Sequence, residues 1–210
     1  MKSKRILLSP PHMGGTELTY IAQAFQDNWI APAGPHIDLL ENRLVDFLDQ
    51  KSQVVALNSG TAAIHSGLQL LGVQKGDVVL CQSLTFIASV NPVLYLGAIP
   101  VFIGSEKETW NLCPIALEEA ILNQLNKGIQ PKAIVVVHLY GMPAKMNEII
   151  TISKKYNIPI LEDAAEALGS SYTNQPCGTF GDFGVLSFNG NKVITTSGGG
   201  ALICHSEVAK

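Results

Sequence analysis

Short apolar runs alternate with segments of helical periodicity along most of this chain. The apolar runs have the length and composition of strands, and they are Val54–Leu57, Val78–Cys81, Val101–Ile103, Ala133–His138, Ile158–Leu161, Gly184–Phe188 and Ala201–Cys204. Helical spacing of apolar residues separates the first five runs, over about Thr61–Leu71, Ala88–Leu96, Ile115–Leu125 and Lys145–Tyr156. This alternation predicts an α/β fold with three layers, in which helices cover both faces of a mostly parallel sheet.

Two departures from strict alternation refine this prediction. No helical pattern separates Gly184–Phe188 from Ala201–Cys204, so these strands are expected to pair as a hairpin, one of them antiparallel to the rest. Residues 1–50 lack the alternation and are predicted to form an irregular arm with two short helices. Residues 51–210 are then the large domain.

Composition narrows the class of protein. The chain has 210 residues, which suits one domain, and only 15% of them are charged. That fraction is low against the usual ~25%, which favours burial of one face against a partner. A net charge of −3 without basic runs argues against nucleic-acid binding.

The chain shows no sign of export or membrane insertion. No run reaches the ~18 apolar residues of a membrane helix. The basic start Met1–Arg5 is followed only by Ile6–Leu8 before Ser9, which is too short for a signal peptide. The cysteines lack C-x-x-C spacing and are predicted to be reduced, structurally buried thiols of a cytoplasmic protein; they are Cys81, Cys113, Cys177 and Cys204.

Polar residues follow several of the predicted strands. Asn58–Thr61, His138–Gly141 and Glu162–Asp163 each come directly after an apolar run. Ligands bind at the carboxyl ends of the strands in open parallel sheets. The convergence of three such segments therefore predicts a ligand site at this edge.

The segment Ser59–Ala62 opens a predicted helix. Gly60 lets the backbone approach an anion, the first-turn N–H groups and the helix dipole favour a phosphate, and the Thr61 hydroxyl can add a bond. An ordinary N-cap turn has the same composition. The segment is thus a candidate phosphate site, with a simple helix start as the alternative.

Asp163 and Lys192 are candidates for the chemistry. Asp163 follows an apolar strand and needs a cationic or donor partner, which a protonated pyridine, a helix cap or a salt bridge would supply. Lys192 has little charge around it, and a lysine in apolar company becomes a nucleophile; a surface lysine on a hairpin is the alternative. Glu162 should point away from Asp163 and is interpreted as structural.

Three further residues have both a functional and a structural interpretation. Ser187 is a second candidate hydroxyl for a phosphate, or a strand residue facing a helix. Phe86 could stack on a flat ring or fill the core. His138 is interpreted as a hydrogen-bonded core residue rather than a catalytic one, and the other histidines form no metal-like spacing with Asp, Glu or Cys.

The motifs together carry a family resemblance that runs nearly end to end. They are Trp29–Pro35, Asn58–Ala63, Thr85–Ala88, His138–Gly141, Glu162–Glu166, Gly178–Asp182, and Ser187–Lys192 with the glycines 198–200. Their order and spacing resemble the DegT-type nucleotide-sugar aminotransferases, a branch of the type I fold of enzymes that use pyridoxal 5'-phosphate (PLP). The resemblance implies PLP as cofactor and a homodimer with a shared active site.

The resemblance also implies roles for individual residues. Lys192 matches the lysine that bonds the cofactor and moves the proton, and Asp163 matches the partner of the pyridine nitrogen. The remaining matches are cofactor-binding positions at Gly60, Thr61, Ala62, Phe86, Glu166 and Ser187, and substrate-binding positions at Trp29, Ala31 and Pro32.

The implied reaction moves an amino group from an amino acid, by resemblance glutamate, to a 4-keto sugar nucleotide in cell-surface glycan biosynthesis. Leu8–Gly15 with Asn189–Asn191 resembles the subgroup acting on UDP-4-keto-6-deoxy-N-acetylhexosamines, as in bacillosamine or pilin-glycan pathways. By this resemblance, family members are nearly twice as long and continue into a small C-terminal domain, which is expected to be absent from these 210 residues.

The sequence departs from the family pattern at two further positions. The family often has Gln where Glu166 stands and His where Asn189 stands. If Glu166 lies near the phenolate oxygen of the cofactor, its charge should raise the pKa of the internal aldimine.

Three other functions compete with this one. The chain could be a non-catalytic fragment that folds or dimerises without turnover. It could be a PLP sugar dehydratase, although those enzymes typically replace the lysine with histidine. A dinucleotide-binding domain is disfavoured, since no G-x-G-x-x-G follows the first strand.

Overall fold

A computed structural model describes residues 5–7, 9–48 and 50–205. Met1–Lys4 of the basic start, Leu8 of the proposed subgroup motif and the chain end at Lys210 lie outside the described residues.

Six helices and nine strands make up the described fold. The helices are α1 Glu17–Gln26, α2 Pro35–Leu48, α3 Gly60–Leu70, α4 Asn91–Tyr95, α5 Pro114–Leu125 and α6 Met146–Tyr156. The strands are β1 Gln53–Leu57, β2 Val78–Gln82, β3 Ile99–Ile103, β4 Ala133–Val137, β5 Ile160–Asp163, β6 Ser171–Tyr172, β7 Gln175–Pro176, β8 Phe183–Ser187 and β9 Gly200–Cys204.

Seven of the strands form one mixed sheet in the order β1-β9-β8-β5-β4-β2-β3. The pairs from β8 through β3 are parallel, whereas β9 runs antiparallel to both β8 and β1. The predicted hairpin with one antiparallel strand is therefore confirmed. Because β1 and β8 both oppose β9, all six other strands place their carboxyl ends at one edge.

Helices cover both faces of the sheet, as the three-layer prediction required. On one face α3 packs Ile64 and Leu68 into a cluster with α4 and the sheet. On the other, α5 and α6 pack against Ile134, and α2 packs Leu44 against Leu186. Strands β2 and β4 are buried along their whole length, which accounts for their unbroken apolar composition.

Apart from shifts of one or two residues at other strand ends, the observed elements differ from the predicted ones in three places. The helix expected over Ala88–Leu96 is a 3-10 turn at Ile87–Ser89 followed by the short α4, because Pro92 lacks an N–H and starts a new helix. Strand β5 begins at Ile160, one residue after Pro159. The small hairpin β6–β7 was not predicted, because no apolar run marks its strands. It turns through residues 173 and 174, which have left-handed backbone conformations.

Among the described residues, no helix combines the length and apolarity that a membrane span requires.

Candidate functional site

A cavity of about 310 Å³ opens where β1, β2, β5 and β8 end. Seven of the sequence-predicted site residues line it, namely Gly60, Thr61, Phe86, Asp163, Glu166, Ser187 and Lys192. They come from four separate chain segments. The parallel strands bring these segments together, as expected for an open α/β sheet.

The amino end of α3 forms one wall of the cavity. Ser59 caps the helix by accepting a hydrogen bond from the Ala62 N–H at 3.1 Å. The first N–H groups of a helix have no intrahelical acceptor, so those of Gly60 and Thr61 stay available for an anion. Ala62 is not among the residues that line the cavity, and its N–H donates to this cap; its cofactor contact stays a prediction.

Close packing around this helix start requires glycine. A Cβ atom at Gly60 would lie 3.0 Å from the Cβ of Ser187, and one at Gly200 would lie 2.4 Å from the Gly60 nitrogen. The helix therefore begins directly against β8 and β9. This places the helix terminus beside the Ser187 hydroxyl, with which Gly60 shares the cavity wall.

Asp163 forms the buried acidic end of the cavity. Its Oδ2 accepts a hydrogen bond from the Ser89 hydroxyl at 2.6 Å, and its Oδ1 accepts one from the Ala165 N–H at 3.1 Å. Burial raises the pKa of this carboxyl, although both hydrogen bonds and the charge of Lys192 oppose the shift. A buried carboxylate of this kind is stabilised by a cationic ligand.

Glu162 points to the opposite face of the sheet, as the alternation of strand side chains requires. Its fully buried carboxylate accepts hydrogen bonds from His138 Nε2 at 2.7 Å and from the backbone N–H groups of Phe180 at 2.8 Å and Gly181 at 3.1 Å. The N–H of Gly178 is a further donor. The structural interpretation of Glu162 is confirmed.

His138 is a hydrogen-bonded core residue, as predicted. It is fully buried, and its Nδ1 accepts from the Ala144 N–H at 2.9 Å, which leaves the ring proton on Nε2 for Glu162. Cys177 lies with these two side chains in a group whose potential metal-ligand atoms are all within 4.8 Å. Because both ring nitrogens and the carboxylate already have partners, the group is interpreted as a hydrogen-bonded core.

Lys192 and Glu166 form an ion pair across the cavity mouth. The Lys192 Nζ lies 3.1 Å from Glu166 Oε1, and Oε2 accepts the backbone N–H of Tyr140 at 2.8 Å. The lysine side chain is 11% exposed and the glutamate 25%. A primary amine is thus held at the cavity by a carboxylate that the 139–141 turn fixes in place.

Phe86 lies on the loop after β2 and lines the same cavity. Its side chain is 69% exposed, so it does not fill the core of this chain. The exposed ring is free to cover a flat ligand. The stacking interpretation is therefore favoured over core packing.

The predicted substrate-side residues lie elsewhere. Trp29 and Ala31 line a separate apolar cavity between α1 and α2, and Pro32 is exposed on the same loop. None of the three lines the cavity that holds Lys192. Their substrate role stays a prediction.

Sequence reasoning did not single out Ser89, Thr85 or Tyr140 as site residues. Ser89 holds Asp163, Thr85 holds Ser89 at 2.8 Å, and Tyr140 holds Glu166 through its backbone. For Thr85 and Ser89, the sequence did contain a signal, namely two hydroxyl residues four positions apart in the segment that follows a strand. A backbone contact such as that of Tyr140 has no signal in residue type.

The family model of the DegT/DnrJ/EryC1/StrS aminotransferases matches residues 11–210. The chain belongs to this family. The predicted family resemblance and fold are thereby confirmed.

Curated relatives agree with this assignment. The chain is 53% identical over 206 residues to a Bacillus subtilis (strain 168) protein provisionally named pyridoxal phosphate-dependent aminotransferase EpsN, covering 98% of this chain and 53% of EpsN. It is 38% identical over 204 residues to GDP-perosamine synthase of Escherichia coli O157:H7, covering 97% of this chain and 54% of the synthase. The chain thus spans about half the length of these relatives.

A solved structure shows the same fold. The PLP form of Spr1654 from Streptococcus pneumoniae, provisionally named a sugar aminotransferase, superimposes with a TM-score of 0.87 at 31% identity. The match covers 99% of this chain and 55% of that one.

Proposed function

We propose that this chain is the cofactor-binding part of a PLP-dependent aminotransferase that acts on a nucleotide sugar. The observation that carries the proposal is the cavity in which the Lys192 amine, the buried Asp163 carboxylate and the amino end of α3 converge. The cofactor needs an amine, an acid and a phosphate site in one place. Family membership and the names of the two curated relatives support the same function.

The residues of the cavity fit the chemical groups of PLP. The N–H groups of Gly60 and Thr61, with the hydroxyls of Thr61 and Ser187, would hold the phosphate. Asp163 would hold the protonated ring nitrogen, and its burial favours a cationic partner. The Phe86 ring would cover the cofactor ring, and the Lys192 Nζ would reach its aldehyde.

Bound PLP would supply an electron sink for the bond changes at the amino carbon. The protein supplies the rest. Lys192 donates and accepts protons at Nζ, because its amine is the basic group at the cavity mouth. Asp163 keeps a negative charge beside the ring nitrogen. Glu166 holds Lys192 at the mouth when the amine is charged.

For the finer function, we propose glutamate as amino donor and a 4-keto sugar nucleotide as acceptor. A relative named for a GDP sugar supports a nucleotide-linked acceptor and makes GDP an alternative to the UDP of the subgroup resemblance. Amine transfer to UDP- and GDP-linked 4-keto sugars, compared by mass spectrometry in the protein that contains this chain, would decide between them.

A homodimer is also proposed. Helix α1 has no buried residue and exposes Leu18, Tyr20, Ile21 and Phe25, each more than half exposed. Apolar surface of this extent favours association. Sedimentation velocity should show a dimer at micromolar concentration, and a monomer at every concentration would contradict the proposal.

The test of PLP binding uses the 210-residue chain with added PLP, before and after borohydride. We expect an absorbance band that shifts on reduction and a mass adduct on Lys192. Lys192→Ala should lose the adduct, whereas Lys154→Ala on the exposed end of α6 should keep it. An adduct that survives in Lys192→Ala would contradict the lysine assignment. A folded chain without any adduct would favour the non-catalytic fragment.

A further inference from the structure

Two hydroxyl groups, those of Ser89 and Thr85, form a short hydrogen-bonded chain that ends at the Asp163 carboxylate, and both residues line the same cavity. Ser89 donates to Asp163 Oδ2 at 2.6 Å, and the Thr85 hydroxyl lies 2.8 Å from the Ser89 hydroxyl. Ser89 is 3% exposed, so its side chain is largely shielded from bulk solvent. Both residues lie in the loop and 3-10 turn that follow β2.

The direction of these hydrogen bonds follows from the charge of Asp163. An ionised carboxylate only accepts hydrogen bonds, so Ser89 must donate its single proton to Oδ2. Ser89 can then only accept from Thr85, which donates. The pair is therefore aligned towards the carboxylate as long as Asp163 is charged.

A neutral Asp163 requires the opposite alignment. Oδ1 already accepts the Ala165 N–H at 3.1 Å, so the acid proton belongs on Oδ2. The acid would donate to Ser89, and Ser89 would turn its proton towards Thr85. Loss of charge on Asp163 thus reverses both hydroxyl bonds.

We propose that Ser89, oriented by Thr85, is a positioning residue that fixes the Asp163 carboxylate and favours its charged form for the ring nitrogen of the cofactor. Because Ala165 donates to Oδ1 and Ser89 donates to Oδ2, rotation of the carboxyl group would break both hydrogen bonds. Hydrogen bonds to a charged acceptor are among the stronger ones in proteins. The inference rests on the proposed function only for the identity of the ring.

Other titratable groups also lie near Asp163. Lys192 and Glu166 lie at the cavity mouth, and His138 lies at the end of β4, with Glu162 beyond it on the far face of the sheet. Burial raises the pKa of Asp163, and the Ser89 hydrogen bond is the leading influence that opposes the rise. Removing the Ser89 hydroxyl should therefore make Asp163 easier to protonate.

The primary test measures Asp163 directly in the cofactor-free chain. Carboxyl-¹³C NMR of aspartate-labelled protein gives the titration midpoint, with the signal assigned by its loss in Asp163→Asn. We expect Ser89→Ala to move the midpoint to higher pH. Ser89→Thr keeps a hydroxyl and should have a midpoint close to that of the wild type. Thr85→Val should also move the midpoint to higher pH, but by less than Ser89→Ala.

The matched control is Ser153→Ala. Ser153 is also buried and donates a 2.6 Å hydrogen bond, to Ile158 O in a region away from the cavity. It should leave the Asp163 midpoint unchanged. An equal shift in Ser153→Ala, or no shift in Ser89→Ala, would overturn the inference whether or not the chain binds PLP.

A second readout links the pair to the cofactor. PLP affinity of Ser89→Ala should fall roughly 10-fold, as for loss of one hydrogen bond to a charged group. The acid side of its pH profile should move to higher pH. If the wild-type chain forms no adduct with PLP, the proposed function fails. The NMR titration uses the cofactor-free chain and therefore still tests the role of Ser89. Thr85→Val provides the same titration if Ser89→Ala does not fold.

Discussion

At the scale of residues, the site depends on pairs rather than on single side chains. Lys192 is held by Glu166, and Asp163 by Ser89. In each pair the sequence identified one candidate from its chemistry. Glu166 was identified as a departure from the family pattern, whereas Ser89 was not identified as a site residue from the sequence.

The Glu166 position carries a prediction of its own. Glu166→Gln removes the charge 3.1 Å from Lys192 Nζ and leaves a single side-chain acceptor, the carbonyl oxygen, where Glu166 uses one oxygen for the amine and the other for the Tyr140 N–H. Since a nearby negative charge favours a protonated nitrogen, an imine between Lys192 and added PLP, as proposed, would lose its proton at lower pH in this variant. An absorbance titration measures this, with Glu118→Gln on α5 as control. Coincident titrations of wild type and Glu166→Gln would sink the idea.

At the scale of elements, the end of each strand positions the site. Strand β5 presents Asp163 to the cavity and Glu162 to the opposite face, because neighbouring side chains alternate. Glu162 then anchors the 178–181 loop, which leads into β8 and so to Ser187. The two adjacent acids thus have different roles: Asp163 lines the cavity, and Glu162 forms hydrogen bonds in the core.

Glu162→Gln should destabilise the fold. The amide would place an NH₂ group against donors that now face a carboxylate, and the charge-assisted bonds would be lost. We expect a loss of roughly 2–3 kcal/mol in the free energy of unfolding, measured by urea denaturation. Glu118→Gln, in a partly exposed pair with Lys155, should change stability little. Equal stability of wild type and Glu162→Gln would contradict this role.

At the scale of the whole molecule, the buried Asp163 carboxylate that the site needs lowers the stability of the folded chain. Burial makes Asp163 costly to ionise, and its pKa in the folded chain is raised above the ordinary value. The folded state therefore binds more protons than the unfolded state between these two values, and stability falls as pH rises through that window. A cationic ligand would offset this cost.

Asp163→Asn should accordingly raise the melting temperature of the cofactor-free chain at pH 8. A gain of each kcal/mol corresponds to roughly 2–4 °C at this size. The gain should disappear in acid, where wild-type Asp163 is also neutral. Differential scanning calorimetry at several pH values tests this, with Asp46→Asn at an exposed position of α2 as control. A lower melting temperature at pH 8 would refute it.

The sequence determined the architecture and the chemistry of single residues. Alternating apolar runs predicted the strands, because buried parallel strands need unbroken apolar segments. The missing helix before Ala201 predicted that one of the last two strands runs antiparallel, and the structure shows that this strand is β9. The residues around them also identified Asp163 and Lys192 as candidate site residues. Family membership confirmed that this combination of motifs is specific, although each motif alone has a structural alternative.

Only the tertiary structure decided which groups meet. Ser89 reaches Asp163 across 74 positions of sequence, and Glu166 reaches Lys192 across 26. The structure also placed the Ala62 N–H in a helix cap and Trp29 in a separate cavity. Such outcomes depend on packing distances between remote segments, which hydrophobic periodicity does not encode.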